Sequence, residues 1–446
     1  MRLLKDATLI TAGKGGKGSI VIDSDRIQEV WWADSEDYGF RTDMFIRKNP
    51  EAEVSDLTGK HIIAGGIDAH VHFREPGLTH KADMATESRA AAAGGVTTVF
   101  DMPNTRPATI DAGRLAEKIK MAEGRSVTNI GFHIGATNEN ASQIAGLVKN
   151  GDPQTGLKPS DIAGVKVFMG SSTGNMLVDE EGTLAELFSI REKPVLVHCE
   201  DEETIRRNTE KAIEKYGEDI PFSEHENIRS RMACIRSSIK ALELAIKYGT
   251  RLTLCHISTK EEIEMVRAAK LNNPEIIAET SCNYLWFSNE DYDRLGSKVK
   301  CNPAVKTPTD REALRAALRD GLIDTIGSDH APHLLSEKDA PYTKAPSGLP
   351  SIQQTLPVLL TIARQEGIPL EKIASAFSEK AAEVYGLQRG KIQEGWHADL
   401  VVVDLEKEFT VRAEDQLSKC GWTPYEGEKL YGVIEEVIIN GKNINI

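Results

Sequence analysis

The stretch IDAHVHFREPGLTHKADMATESRAAAAGGVTTVFDM, residues 67–102, contains two apolar, strand-like runs separated by a helix-like segment. The first run alternates polar and apolar residues with a period of two, which is typical of a strand. Gly94 and Gly95 end the intervening segment, as glycine commonly ends a helix. This order predicts two parallel strands joined by a crossover helix.

The same pattern recurs through the middle of the chain. Strand-like runs lie at residues 67–73, 96–102, 129–136, 162–170, 193–200, 251–258, 275–282 and 323–330. A helix-like or loop segment follows each run. Eight strands that alternate with such segments predict an α/β fold, a closed (β/α)8 TIM barrel.

Short alternating strands also occur near both termini, for example at residues 18–31 and 431–444. The dipeptide Asn440-Gly441 predicts a hairpin turn. We therefore expect a small β-sandwich domain formed by residues 1–58 together with 391–446. Residues 59–390 would then form the catalytic barrel.

The composition narrows the class of protein. With 446 residues, 40% of them apolar, the chain can bury a large core, and a net charge of −14 argues against nucleic acid as the main partner. There is no apolar run of membrane-span length, and the apolar segment near the start is too short for a signal peptide, so we expect a cytoplasmic protein. The six cysteines have no CxxC spacing and are expected to be reduced thiols. We also expect a homo-oligomer, a dimer being one form.

The first strand carries two histidines in the sequence DAHVHFRE. Under strand alternation, His70 and His72 share a face with Asp68 and Arg74. Both imidazoles then project together and can chelate a metal. A single buried histidine is more often structural, so this stretch alone leaves both interpretations open.

Three other strands present similar side chains where they end. His198 follows VLV, His256 follows LTLC, and Asp329 lies in IGSDHAPH. Barrel active sites lie at the carboxyl ends of the strands. Four imidazoles and a carboxylate at that face predict a pair of divalent metal ions, with zinc preferred. The neighbouring thiols of Cys199 and Cys255 are expected to turn away from the metals.

Lys166 is also predicted to point into this cluster, although it is not a usual metal ligand. A buried lysine readily loses its proton, and the free amine can react with carbon dioxide to give a carbamate. The carbamate is an anion that can bridge two metals, whereas an ammonium beside two dications would add repulsion. The alternative is a lysine that reaches the barrel rim and forms a salt bridge there.

Several motifs together resemble the amidohydrolase superfamily and, within it, the dihydroorotases. They are HVHFREPG, DMPNTRPAT, KVFMG, LVHCED, CHIS, GSDHAPH and APSGLPSIQQTLPVLL. The resemblance covers nearly the whole chain. It implies a zinc-dependent enzyme that reversibly cyclises N-carbamoyl-L-aspartate to L-dihydroorotate in pyrimidine synthesis, using a hydroxide activated by two zinc ions.

The resemblance also implies a role for each site residue. The metal ligands would be His70, His72, Lys166 in carboxylated form, His198, His256 and Asp329, with Asp329 also transferring the proton. The residues that bind the small-molecule substrate would be Arg74, Asn104, Asn302 and His333. Cys282 and Asn283 stand where many relatives have Pro and His, which is a departure from the family pattern.

Two alternative functions and one open question about a loop remain at this stage. An allantoinase or dihydropyrimidinase would cleave a related cyclic amide, although such relatives usually lack an arginine at the position of Arg74. An inactive scaffold homologue would have lost metal ligands, whereas this chain has the full set. Residues 333–348 form either a mobile lid over the site or a fixed surface loop.

Overall fold

The computed structural model describes residues 1–170 and 176–445. Its strands, in chain order, are β1 (Arg2–Ile10), β2 (Gly15–Asp23), β3 (Arg26–Trp32), β4 (Glu53–Asp56), β5 (His61–Ala64), β6 (Gly66–Val71), β7 (Val96–Asp101), β8 (Asn129–Gly135), β9 (Ile162–Phe168), β10 (Val195–His198), β11 (Leu252–Leu254), β12 (Ile277–Thr280), β13 (Thr325–Ile326), β14 (Leu400–Thr410), β15 (Lys429–Ile439) and β16 (Lys442–Asn443). They form two sheets.

The helices are, again in chain order, α1 (Tyr38–Lys48), α2 (Met84–Ala93), α3 (Ala112–Ala122), α4 (Ala141–Asn150), α5 (Glu181–Phe188), α6 (Glu202–Tyr216), α7 (His225–Ile228), α8 (Arg231–Tyr248), α9 (Lys260–Lys270), α10 (Cys282–Trp286), α11 (Tyr292–Leu295), α12 (Pro308–Asp320), α13 (Leu335–Lys338), α14 (Thr355–Glu366), α15 (Leu370–Ala374) and α16 (Lys380–Tyr385). The predicted helix before Gly94 is α2. Asp83 caps its start by accepting from the backbone N–H groups of Ala85 and Thr86.

The larger unit is a parallel barrel in which β6 to β13 are neighbours in sequence order. A parallel bridge between Val71 and His330 links its first strand to the segment after its last. Each of the eight predicted runs overlaps one of these strands, so the barrel prediction is confirmed. The six residues of β7 are all buried, as expected for a strand covered on both faces.

The second sheet is mixed and combines strands from both ends of the chain. Its order is β16-β15-β14-β5-β1-β2-β3, with β4 paired to β1. Asn440 and Gly441 have φ values of 50° and 73° and join β15 to β16, so the predicted hairpin is confirmed. Strand β5 pairs in this sheet although it lies after residue 58. The domain boundaries at 58 and 391 remain predictions.

Within residues 1–170 and 176–445, no helix is long and apolar enough to cross a bilayer.

Candidate metal centre and substrate pocket

All six predicted metal ligands line one pocket at the carboxyl ends of the barrel strands. The lining residues include His70, His72, Lys166, His198, His256 and Asp329. His70 lies on β6, Lys166 lies on β9, and His198 ends β10. His72, His256 and Asp329 lie within three residues after the ends of β6, β11 and β13. Five of the six are buried, because the barrel packs around them, and Asp329 is partly exposed. The geometry therefore brings the predicted cluster together.

His70, His72 and Asp329 form the first group of donor atoms. Asp329 Oδ1 lies 3.0 Å from His72 Nε2 and 3.4 Å from His70 Nε2. Tetrahedral ligands about 2.0–2.2 Å from a zinc ion lie roughly 3.3–3.6 Å from one another. The 3.4 Å distance falls in that range and the 3.0 Å distance is shorter, and all three donors lie within 4.8 Å of one another, close enough to share one ion.

His198 and His256 form the second group. His198 Nδ1 lies 2.9 Å from His256 Nε2, and the ring centroids are 4.7 Å apart. The ring of His256 is also 5.3 Å from that of His70, so the two groups adjoin. Two ring nitrogens that face each other at this distance can share at most one proton. When a metal cation replaces that proton, the lone pairs of both nitrogens can bind the metal.

The far nitrogens of three histidines have acceptors that fix their ring orientation. His70 Nδ1 lies 2.7 Å from Glu279 Oε1, and His198 Nε2 lies 3.0 Å from Glu200 Oε2. His72 Nδ1 lies 2.8 Å from an oxygen of Asn104. An acceptor at the far nitrogen holds the proton there and leaves the near nitrogen free for a metal.

Sequence reasoning missed the two carboxylates that hold His70 and His198. Glu279 lies on β12 and Glu200 lies two residues after the end of β10, and both are almost completely buried. Arg229 pairs with Glu200 and compensates its charge. A carboxylate inside or beside an apolar barrel strand was the available signal, because buried acidic residues are rare unless they are paired.

Lys166 is buried on β9 among the metal-binding candidates. Its Nζ lies 3.4 Å from Cys255 Sγ and 5.0 Å from the ring centroid of Phe168. Within the described residues, no carboxylate lies within 4.0 Å of it, so the alternative of a rim salt bridge is wrong. An unpaired buried ammonium is costly.

The prediction that Cys255 turns away from the cluster is also wrong. Its sulfur contacts Lys166, and it lies within 4.8 Å of donor atoms on His70 and Glu279. Alternation fails because β11 ends at Leu254, before this cysteine. His256 then has a φ of 38°, which turns the chain out of the extended conformation.

Three residues in or beside the pocket have left-handed backbone conformations although they are not glycine. The φ values are 65° at Arg74, 38° at His256 and 48° at Asp329. For residues other than glycine this conformation is uncommon and costs of the order of 1–3 kcal/mol, so the surrounding structure must hold it. Such residues cluster at functional sites, where the backbone aims a side chain in a fixed direction.

Three of the imidazoles are kept neutral. Burial lowers the pKa of His72 to about 4, although its bond to Asp329 acts in the other direction. Burial also lowers the pKa of His198 and brings that of His256 well below 6.5. Neutral imidazole is the form that binds metals.

The first donor group lies in a field that favours a cation. Burial and the charge of Lys166 act to lower the pKa of His70, but Glu279 and the other nearby anionic groups raise it to about 10. Burial acts to raise the pKa of Asp329, but His70 and His72 lower it below 3.8. The site therefore stabilises positive charge where a metal would lie.

Cationic side chains lie beside the pocket, around His333. Arg74 is buried, with Nε donating to Pro332 O at 3.0 Å and Nη2 lying 2.9 Å from His333 Nε2. Lys81 Nζ lies 2.9 Å from His333 Nδ1 and 2.8 Å from Glu337. Burial, Arg74 and Lys81 together hold the pKa of His333 far below its usual value.

The predicted substrate residues are distributed around this side. Asn302 lines the pocket, and its buried Oδ1 has no hydrogen-bond partner among the described residues. His333 lies against the pocket wall, because a Cβ added at Gly348 would be 3.0 Å from its ring. Asn104 contacts His72, so it belongs in this structure to the metal side as well.

Asn283, which departs from the family pattern, has a structural contact on each side. Its amide nitrogen lies 3.3 Å from Ser328 O, and its oxygen accepts from the hydroxyl of Tyr425 at 3.0 Å. It therefore connects the residue before Asp329 to the C-terminal part of the chain.

A model of the amidohydrolase family matches residues 61–444. The chain is 36% identical to a dihydroorotase from Methanosarcina acetivorans, over 84% of this chain and 79% of that protein. It is 32% identical to an allantoinase from Desulfitobacterium hafniense, over 88% of this chain and 86% of that protein. The L-hydantoinase (dihydropyrimidinase) structure from Arthrobacter aurescens matches with a TM-score of 0.88 at 25% identity, covering 99% of this chain and 95% of that one.

Proposed function

The chain belongs to the amidohydrolase family, and on that premise we propose that it is a dihydroorotase, which interconverts N-carbamoyl-L-aspartate and L-dihydroorotate in pyrimidine synthesis. Its relatives act on cyclic amides, and this chain is a cyclic amidohydrolase with a buried His/Asp metal site. The narrower proposal concerns which cyclic amide it takes.

Arg74 carries this proposal. Its guanidinium is buried, and in the described part of the chain no carboxylate lies within 4.0 Å of it. A buried charge without a counterion is costly, so the pocket is complete only when an anion binds. Dihydroorotate has a carboxylate that does not react, and a planar guanidinium can hold a carboxylate through two parallel hydrogen bonds. The ring of hydantoin or allantoin has no such group.

The donor set fits two divalent ions, which we propose to be zinc. His70, His72 and Asp329 would hold one ion, and His198 and His256 would hold the other. Lys166 in carboxylated form would bridge them, which also removes the uncompensated ammonium from the site. When bound, the metals supply Lewis-acid activation of water and of the ring amide carbonyl.

Asp329 is proposed to move the proton. Its lowered pKa keeps the carboxylate ionised at neutral pH, so it can accept a proton from the attacking water. In the hydrolytic direction it then delivers that proton to the ring nitrogen that leaves. Ring closure uses the same carboxylate in the reverse order.

Arg74, His333, Asn302 and Asn104 are proposed to orient the substrate. Arg74 and His333 would bind the carboxylate, and the unpartnered Asn302 Oδ1 would accept from a ring N–H. Fixing the ring at one end places its amide carbonyl over the metal side of the pocket. Orientation of this kind can supply several kcal/mol of the rate enhancement.

Cleavage of allantoin or hydantoin is the second candidate, because an allantoinase is among the relatives at 32% identity. The experiment is a comparison of kcat/KM for dihydroorotate, allantoin, hydantoin and dihydrouracil, using zinc-reconstituted protein. We expect dihydroorotate to exceed the others by at least about 100-fold, the size expected when a buried charge loses its partner. Faster hydrolysis of allantoin would contradict the proposal, and no activity with metal content below one per chain would favour an inactive scaffold.

A further inference from the structure

Two lysines beside the pocket are buried without a counterion. Lys338 is 0% exposed and Lys300 is 7% exposed. Over residues 1–170 and 176–445, neither has a carboxylate within 4.0 Å. Lysine is almost never buried in this way unless its ammonium has strong partners, so the partners of these two side chains indicate what they do.

The ammonium of Lys338 has three partners, all of them backbone carbonyl groups. Nζ donates to Lys300 O at 3.2 Å, Pro346 O at 2.8 Å and Gly348 O at 3.1 Å. An ammonium has three N–H donors, so each donor has one acceptor. These carbonyls belong to two segments, one at residue 300 and the other at the end of the loop 333–348. Lys338 therefore ties the loop to the connection between β12 and α12, in which residue 300 lies.

Lys300 holds the same loop at a second point. Its Nζ donates to Tyr342 O at 2.7 Å and to Ala345 O at 2.6 Å, and it lies 4.2 Å from the ring centroid of Tyr342. The hydroxyl of Tyr342 in turn lies 2.7 Å from His225 Nδ1. These contacts favour a fixed loop over the mobile lid, since opening would strip both ammonium groups of their acceptors.

The end of this loop forms part of the pocket wall. Ser347 and Gly348 line the pocket beside Asn302, and Ser347 O lies 3.1 Å from His333 Nε2. The N–H of Gly348 donates to Lys300 O at 2.9 Å. The same carbonyl therefore accepts hydrogen bonds from Lys338 and from Gly348 in the pocket wall. A shift of the loop end would move His333 relative to Arg74.

We propose that Lys338 is a positioning residue for the carboxylate end of the substrate: its buried ammonium, together with Lys300, fixes the loop that places His333 beside Arg74. The inference rests on the proposed function. Lys338 touches neither the metal ligands nor the reacting amide, so its effect is on binding of the carboxylate rather than on the chemical step.

The charge of Lys338 is consistent with this role. Burial, with help from Lys300, Arg74 and Lys81, lowers the pKa of Lys338 to about 7. A neutral amine keeps only two N–H donors and cannot satisfy all three carbonyls. An anion bound beside Arg74 favours the charged form and therefore the fully bonded loop.

The test compares Lys338→Met with Lys338→Arg and with a matched control, Lys344→Met. Lys344 lies on the same loop but is exposed. For Lys338→Met we expect KM for dihydroorotate, and the inhibition constant of orotate, to rise at least about tenfold, with kcat within about threefold and unchanged metal content. Lys338→Arg should recover part of the loss, because it restores charge and donors, and Lys344→Met should behave as wild type.

The outcomes separate this inference from the proposed function. A wild-type protein without dihydroorotase activity would contradict the proposed function itself. An active wild type with unchanged KM in folded Lys338→Met would overturn only the inference, as would a parallel fall in kcat and metal content, which indicates a general structural role. If Lys338→Met does not fold, Lys300→Met is judged by the same split between KM and kcat.

Discussion

Replacing Arg74 by methionine should weaken catalysis. At the same time, the ligand-free variant should be at least as stable as the ligand-free wild type. Burial lowers the pKa of Arg74 from 12.5 to about 10. A difference of that size corresponds to roughly 3 kcal/mol. Because the pKa of this base is lower in the folded state, its charge opposes folding at every pH below about 10, and the full cost is present at neutral pH.

Methionine removes this cost but also removes two contacts, one from Nε to Pro332 O and one from Nη2 to His333 Nε2. We therefore expect a free energy of unfolding between unchanged and about 3 kcal/mol higher, seen as an equal or higher melting temperature. For dihydroorotate, loss of a charge-assisted bond to the carboxylate should cost about 2–4 kcal/mol, or roughly 30- to 1,000-fold in kcat/KM.

The assay pairs thermal melting with steady-state kinetics, with and without orotate. Orotate should stabilise the wild type but not Arg74→Met, because the variant lacks the guanidinium that would pair with the carboxylate of orotate. The control is Arg106→Met, which removes an exposed arginine from the segment after β7. A large drop in the melting temperature of Arg74→Met would show that the guanidinium is compensated in the folded protein. An unchanged kcat/KM would refute its role in substrate orientation.

The other predictions concern the metal bridge, a buried ion pair and two glycines. Metal-free protein should regain activity with zinc faster when bicarbonate is present, because the proposed bridge requires Lys166 to form a carbamate; a rate independent of bicarbonate would refute the carboxylated bridge. Lys118→Met should lower the free energy of unfolding by about 3–5 kcal/mol, since Lys118 pairs with Asp101 at 2.6 Å inside the protein; chemical denaturation showing a smaller loss would contradict this. Gly66→Ala should destabilise by about 1–3 kcal/mol, because its Cβ would lie 2.3 Å from a buried phenyl carbon. Gly146→Ala, on α4 with no atom within 4 Å of the new Cβ, should stabilise by about 0.5–1 kcal/mol, and equal melting temperatures for the two alanine variants would refute the packing argument.

The barrel could be predicted because its strands carry their own signal. Parallel strands covered on both faces are continuous apolar runs, and a polar residue at the end of such a run lies at the mouth of the barrel. His198 ends β10 and Asp329 follows β13, so position in the run was enough to bring them together. Asn440-Gly441 identified its hairpin because the turn requires positive φ at both residues.

Side-chain direction beyond the strand ends could not be predicted by the same rule. At Arg74, His256 and Asp329 the backbone has positive φ, and a period of two no longer describes which way a side chain points. Cys255 shows the consequence, because it contacts Lys166 although alternation places it elsewhere. Partners from distant strands, such as Glu279 for His70, depend on how the barrel closes and not on local pattern.

The barrel mouth divides its charge into two halves, and under the proposed function this division would let one pocket bind both cations and an anion. On the metal side, Glu279 faces His70 and the Asp329 carboxylate is ionised, so positive charge is favoured there. On the substrate side, Arg74 and Lys338 are buried without carboxylate partners in the described residues. Each half lacks the charge that its proposed ligand would bring, so under the proposed function the metals and the substrate carboxylate would complete the site from opposite sides. The two halves are only a few side chains apart. Metals bound on the metal side should therefore strengthen the electric field that attracts the reacting carbonyl oxygen. The cations on the substrate side would hold the other end of the ring in place.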